Sequence, residues 1–262
     1  MKILASTLKI LGEARERSPA CLIFYSGGKD SLAMADLCVR AFERVEGVFM
    51  YFVPGLECVD RQLEYGRQRW GLKIHQFPHW CLTRILQAGV YRFVGKDGLT
   101  SQNYVYTGDL DDEALIGTLG EKAKKNRKKF RMNGEGIPEL SLNDVYAMAK
   151  TETGISLIAT GAKKADSLWR RKMLGNWGTR PDIIYPLKDW NKPDVYAYLM
   201  AQKIPIPGGT SGSSTGIDLT QKSLLWMHDT YPDDFWKICE VFPFAEAVVW
   251  HRKFYGDVST TG

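Results

Sequence analysis

Cysteine and histidine are sparse and scattered in this chain. Cys21, Cys38, Cys58, Cys81 and Cys239 form no C-x-x-C pair, and His75, His79, His228 and His251 form no H-E-x-x-H or other close ligand group. That spacing argues against structural zinc, a catalytic zinc site and a cysteine-held iron-sulfur cluster. No uninterrupted apolar span approaches the roughly 18 residues of a membrane helix, and the N terminus has no apolar signal segment. A cytoplasmic protein without a membrane partner, in a reducing compartment, is therefore expected. No internal repeat is evident. The Walker A spacing is missing too, because Lys29 follows a glycine pair directly, without four residues after a first glycine.

What is present fits a globular chain. With 262 residues, 44% apolar and 12% aromatic, it can bury one substantial core, with or without an appendage. The net charge of +5, from 35 basic and 30 acidic side chains, suits a nucleotide or another anionic substrate without by itself indicating nucleic acid.

The rest is organised around residues 20 to 31. Ala20-Cys21-Leu22-Ile23-Phe24-Tyr25 reads as a buried strand, and Ser31 opens a run with helix-type apolar positions at Ala35, Cys38, Phe42 and Val45. Between them Gly27 and Gly28 let backbone N–H groups converge on an anion at a helix start, where the dipole also favours negative charge. Lys29 adds a cation, Ser26 and Ser31 add hydroxyls, and Asp30 can fix the loop or help place a magnesium ion. Strand-like runs at Val48 to Val53 and Ile74 to Phe77, with helical spacing at Val59, Leu63 and Trp70 between them, predict strand-helix crossovers. The expected fold is α/β, a doubly wound, mainly parallel five-stranded sheet with a helical C-terminal region. Further strands are expected at Ile155 to Thr160 and Ile183 to Leu187, and an N-terminal helix packs on the body. Glu57, just beyond the second strand, and His79 and Cys81, after the third, are candidate substrate contacts. Each also has a plain structural reading.

Gly161 to Arg171 supplies a second set of donors. Lys163, Lys164, Ser167, Arg170 and Arg171 are gathered there, with 167, 170 and 171 at helix-neighbour spacing and Asp166 placed to orient one of them. Residues 1 to 205 read as the nucleotide-binding domain, with a lid or insertion at 95 to 140. Residues 206 to 262 read as a loop and helical extension packed on the same domain. The basic run from Lys122 to Arg131 is a candidate nucleic-acid contact, although a solvated lid explains it as well. Pro232, Phe235, Trp236, Phe242, Phe244, Val248, Trp250, His251 and Phe254 imply an aromatic helical end, mostly core and a candidate homo-oligomer contact.

Ser26-Gly27-Gly28-Lys29-Asp30-Ser31 resembles the SGGxDS pyrophosphate loop (PP-loop) of the N-type ATP pyrophosphatases and of the phosphoadenosine phosphosulfate (PAPS) reductases. Gly161, Lys163, Ser167 and Arg170 resemble the same group's GxRxxxS-x-x-R block, with lysine in the usual arginine position. Tyr185-Pro186-Leu187 through Trp190 resembles its Pro-Leu-x-x-Trp block. The resemblance implies an adenine nucleotide alpha-hydrolase-like fold that binds ATP or a related adenine nucleotide with magnesium. On that basis Tyr25, Ser26, Gly27, Gly28, Lys29, Asp30 and Ser31 hold the nucleotide together with Gly161, Lys163, Ser167, Arg170 and Arg171. Lys29, Asp30, Lys163 and Arg170 are the catalytic candidates.

In the ATP-using relatives, attack at the alpha phosphate adenylates an acceptor and releases pyrophosphate. The acceptor here is unidentified, and Cys58 or Cys81 could carry sulfur if sulfur is transferred. The competing reading is a PAPS or adenosine phosphosulfate reductase-like protein. Reductases of that kind need a cysteine in a C-terminal Glu-Cys-Gly-x-His-type segment, whereas residues 255 to 262 contain none. A nonenzymatic nucleotide sensor is the third reading.

Overall fold

The computed structural model describes residues 2–80, 82, 140–176, 180–205, 219 and 221–255. The lid expected at 95 to 140, the basic run at 122 to 131 and Cys81 therefore lie outside the described residues, Leu140 excepted.

Helix α1 (Lys2–Arg17) leads into β1 (Ala20–Phe24), α2 (Lys29–Ala41), β2 (Arg44–Tyr51), α3 (Glu57–Trp70) and β3 (Lys73–Pro78). Then follow α4 (Leu142–Thr153), β4 (Ile158–Ala159), α5 (Leu168–Asn176), β5 (Ile183–Ile184) and α6 (Lys192–Ala201). The five strands form one sheet in the order β3-β2-β1-β4-β5. The β1–β2, β1–β4 and β4–β5 pairs are parallel, with Leu22 opposite both Glu46 and Ile158. The expected five-stranded, doubly wound architecture is what the chain adopts.

β1 is central, and its Cys21, Leu22 and Ile23 are buried, as are Leu32, Ala33, Ala35 and Cys38 of α2. A strand covered on both faces needs a continuous apolar run, which is why this segment does not alternate. Helix α2 stops at Ala41, one turn short of the expected Val45, which instead lies in β2 opposite Cys21. Parallel pairing with β1 claims the backbone from Arg44 onward, so β2 starts four residues before the apolar run at Val48. The two later strands are shorter than expected. Ile155 and Leu157 are buried just before β4, the Leu157 carbonyl accepting from the Leu22 N–H (2.8 Å), and Pro186 has no N–H to continue β5. Helix α1 is pinned by Thr7, whose hydroxyl donates to the Pro186 carbonyl (2.8 Å) and accepts from the Trp190 indole N–H (2.7 Å).

The chain divides into two compact units. One comprises Met1–Tyr51, Val59–Phe77 and Val145–Gly216, and holds the sheet. The other comprises Phe52–Cys58, Pro78–Asp144 and Ile217–Gly262. In the second, α7 (Gln221–Thr230), α8 (Pro232–Val241), a short 3-10 turn (Pro243–Glu246) and α9 (Ala247–Tyr255) pack around Leu224, Met227, Phe235, Ile238, Phe242 and Val248. Trp236, Trp250 and Phe254, expected mostly in the core, are exposed. Adjacent helix positions face different ways, so Phe235 faces inward and Trp236 outward. The Phe244 side chain lies outside the described set.

Candidate nucleotide site

The strand order changes direction at β1, whose neighbours β2 and β4 lie on either side. Open α/β sheets bind ligands at the carboxyl ends of strands at such a switch point. The loop after β1 and the turn after β4 both leave from there, and they carry the two donor sets picked out in the sequence.

The first loop runs from Tyr25 to Gly28. Gly27 has φ +72°, in the left-handed region that glycine enters without penalty. Gly28 caps α2 with no side-chain hydrogen bond, so the helix start carries no side-chain cap at this position. The Ser31 hydroxyl donates to the Gly28 carbonyl (2.8 Å), and Ser26 Oγ lies 3.3 Å from Ser31 Oγ and accepts from the Gly28 N–H at 3.4 Å. Both serines thus shape the loop from within. Tyr25 is directed elsewhere: it is buried, its hydroxyl donates to the Gln62 carbonyl (3.2 Å), and a Cβ on Gly66 would meet its ring at 2.8 Å. Burial, then the nearby Tyr65, raises its pKa.

The second turn is held by its own aspartate. Asp166 Oδ2 accepts from the Lys163 N–H at 3.1 Å, and Ser167 Oγ accepts from the Arg170 N–H at 3.0 Å, which makes Ser167 the N-terminal cap of α5. The Lys163 side chain is buried. Its ammonium lies 2.7 Å from Asp30 Oδ2 and 3.0 Å from Asp166 Oδ1. Lys29 Nζ lies 2.9 Å from the same Asp30 oxygen, and Arg170 Nη1 lies 2.7 Å from Asp166 Oδ2.

Lys29, Asp30, Lys163, Asp166 and Arg170 therefore form one chain of ion pairs, three cations to two carboxylates. Gly161 lies alongside Asp30, where an added Cβ would be in ordinary contact, 3.6 Å from the Asp30 Cβ. Burial and then the neighbouring Lys163 lower the Lys29 pKa against the pull of Asp30. For Asp166, burial acts to raise the pKa, but Lys163 and Arg170 together leave it lowered. Arg171 is exposed on α5.

The donor set suits an anion: two ammonium groups, a guanidinium and the N–H groups of a glycine loop at an uncapped helix start. A divalent cation would find one idle carboxylate oxygen here, Asp30 Oδ1, which is buried without a hydrogen-bond partner. No group of three His, Cys, Asp or Glu side chains able to hold a metal exists among the described residues.

Glu57 and His79 belong to the second unit. Asp234, a buried residue of α8, accepts from the backbone N–H groups of Glu57 (2.9 Å) and Cys58 (2.8 Å), so the start of α3 is already capped by a carboxylate. His79 stacks on Phe52, with ring centroids 4.3 Å apart, and burial pushes its pKa down to about 4. A neutral, stacked imidazole matches packing better than proton transfer at neutral pH. Cys58 is buried. The sequence missed Asp234, although an aspartate near a helix start was a signal it could have offered.

No family model matches the chain, and no curated protein matches it. Among solved structures, it is similar to a phosphoadenylyl-sulfate (PAPS) reductase from Candida auris in its phosphate complex, at 15% identity and a TM-score of 0.43, covering 76% of this chain and 81% of that one. It is also similar to the U34-tRNA thiolase NcsA from Methanococcus maripaludis with its 4Fe-4S cluster (13%, TM-score 0.42, 94% and 79% covered). A third is the NH3-dependent NAD synthetase from Campylobacter jejuni subsp. jejuni NCTC 11168 in complex with nitrate (14%, TM-score 0.43, 100% and 98% covered). At these values the likenesses identify neither a family nor an activity.

Proposed function

We propose that the chain is an adenine-nucleotide-binding enzyme of the PP-loop class that cleaves ATP between the alpha and beta phosphates and adenylates an acceptor. One observation carries this reading: the glycine loop after β1 and the basic turn after β4 meet in a single ion-paired cluster, with Lys29 and Lys163 sharing Asp30.

In this reading an acceptor oxygen attacks the alpha phosphorus. The bond from that phosphorus to the bridging oxygen breaks, and pyrophosphate leaves with the electron pair. The loop N–H groups and Lys29 hold the leaving phosphates, while Lys163 and Arg170 offset charge that grows at the alpha phosphate and on pyrophosphate. Ser26 and Ser31 keep the loop in shape, Ser167 starts α5 so that Arg170 faces the cluster, and Arg171 is an outer contact. Magnesium, when bound with the nucleotide, would neutralise phosphate charge, with Asp30 as its protein ligand. The acceptor has no named class in this reading.

A thiol-dependent reductase reading finds less support. Burial, aided by Glu246, pushes the Cys239 thiol up to about 12, opposite to an activated thiolate.

Titration calorimetry with ATP, PAPS and adenosine on wild type and Lys29→Ala tests the proposal, together with assay of pyrophosphate release. ATP binding that drops at least tenfold in Lys29→Ala supports it, since one hydrogen bond to a charged group is worth about 1.5–3 kcal/mol. Equal binding by both proteins sinks the site. Preference for PAPS without alpha-beta cleavage of ATP sinks the reaction.

A further inference from the structure

The Gln62 side chain on α3 lies against the glycine loop. A Cβ on Gly27 would meet Gln62 Oε1 at 2.5 Å and Gln62 Cβ at 2.9 Å, so the side chain lies across the α-carbon of the loop, and only glycine leaves it room. The remaining polar side chains of the loop are committed. Ser31 and Ser26 hold the Gly28 backbone, and the Lys29 ammonium is on Asp30. The half-buried Gln62 carboxamide makes no hydrogen bond.

The amide atoms are open to solvent rather than sealed in the core, so the carboxamide can exchange water for a partner that arrives at the loop. Its two faces are equivalent to the protein, because neither is bonded, so Nε2 can turn to the loop without losing an interaction. The residue is also fixed in place. The Tyr25 hydroxyl donates to its backbone carbonyl, and the Tyr25 ring fills the space beside Gly66 one turn further along α3.

We infer that Gln62 is a further phosphate-binding residue, its carboxamide N–H donating to an oxyanion seated on the Ser26-Gly27-Gly28 loop. This rests on the loop being the phosphate site. A neutral donor fits the electrostatics, because it adds a hydrogen bond from the α3 side without changing the balance of three cations and two carboxylates.

The test is calorimetry of ATP, inorganic pyrophosphate and adenosine on wild type, Gln62→Leu, Gln62→Met and Gln62→Glu, with unfolding midpoints measured alongside. Leucine and methionine keep the packing over Gly27 and remove the donors. Both are expected to bind ATP and pyrophosphate about tenfold more weakly, at unchanged adenosine affinity and unfolding midpoint. Glutamate, which sets a carboxylate against the phosphate, should lose more. Wild-type affinity in Gln62→Leu or Gln62→Met overturns the inference and leaves the loop assignment standing, and so does an equal loss for adenosine. Failure of the wild type to bind either phosphate compound overturns both.

Discussion

Asp30 holds two ammonium groups with one oxygen, and that sharing is the main departure from a plain reading of the residues. In sequence it was a candidate magnesium ligand beside a candidate phosphate lysine. In the structure its Oδ2 gathers Lys29 and Lys163, which are 134 positions apart by their numbers, at 2.9 and 2.7 Å. Lysine at 163 in place of the arginine of the resembling block fits this: a compact ammonium on a flexible stem reaches a shared carboxylate oxygen in a buried position, where a planar fork would need more room and more acceptors.

His79 illustrates the opposite outcome, a polar candidate drawn into packing. Its pKa, lowered from 6.5 to about 4 by burial, has a stability consequence of fixed sign. Between those values the unfolded chain takes up a proton that the folded chain refuses, so the contribution is present above about pH 6.5 and is lost as pH falls toward 4. The loss is on the order of 3 kcal/mol. His79→Phe keeps the stack on Phe52 and removes the titration. Urea midpoints measured from pH 7 to pH 4 should therefore fall less steeply in the variant, and parallel profiles would show that His79 is not responsible.

Among the elements, what local signals govern was legible and what distant partners govern was not. The strand, glycine loop and helix at 20 to 41 follow from an apolar run, two glycines and helical spacing. Capping boxes join Ser141 to Asp144 and Asn191 to Asp194, each across a three-residue spacing that is local in the chain. The end of α2 and the lengths of β4 and β5 were misjudged, because ladders are set by pairing partners rather than by apolar content alone. The caps of α2 and α3 differ in a way no local pattern could give. The start of α2 carries no side-chain cap, while α3 is capped by Asp234, more than 170 positions away. Burial acts to raise the Asp234 pKa, but the N–H groups of Cys58 and Glu57 and the nearby Lys237 leave it lowered. Asp234→Ala should cost about 1–2 kcal/mol, the range of a lost helix cap, read as a lower urea midpoint, with ATP affinity unchanged. A loss of ATP affinity together with an unchanged midpoint would assign Asp234 to the ligand instead.

For the whole molecule, the division into two compact units lets a ligand's place be read from which unit it stabilises. A ligand that binds one of them should protect that one. If ATP occupies the loop at Tyr25 to Ser31, saturation at about a hundred times its dissociation constant adds roughly 2.7 kcal/mol to the stability of the unit that binds it. That unit contains β1, α2, β4 and α5. Hydrogen exchange resolves the effect by segment, because slowed exchange reports the free energy of local opening. Peptides spanning 24 to 34 and 160 to 172 should exchange more slowly with ATP, and peptides from α7 to α9 should change little. Lys29→Ala should abolish the protection in the first two peptides, since it removes a ligand contact. Asp234→Ala should keep it while loosening the start of α3. Protection confined to α7 to α9 would move the nucleotide to the other unit and leave the Lys29–Asp30–Lys163 cluster as a buried structural ion network.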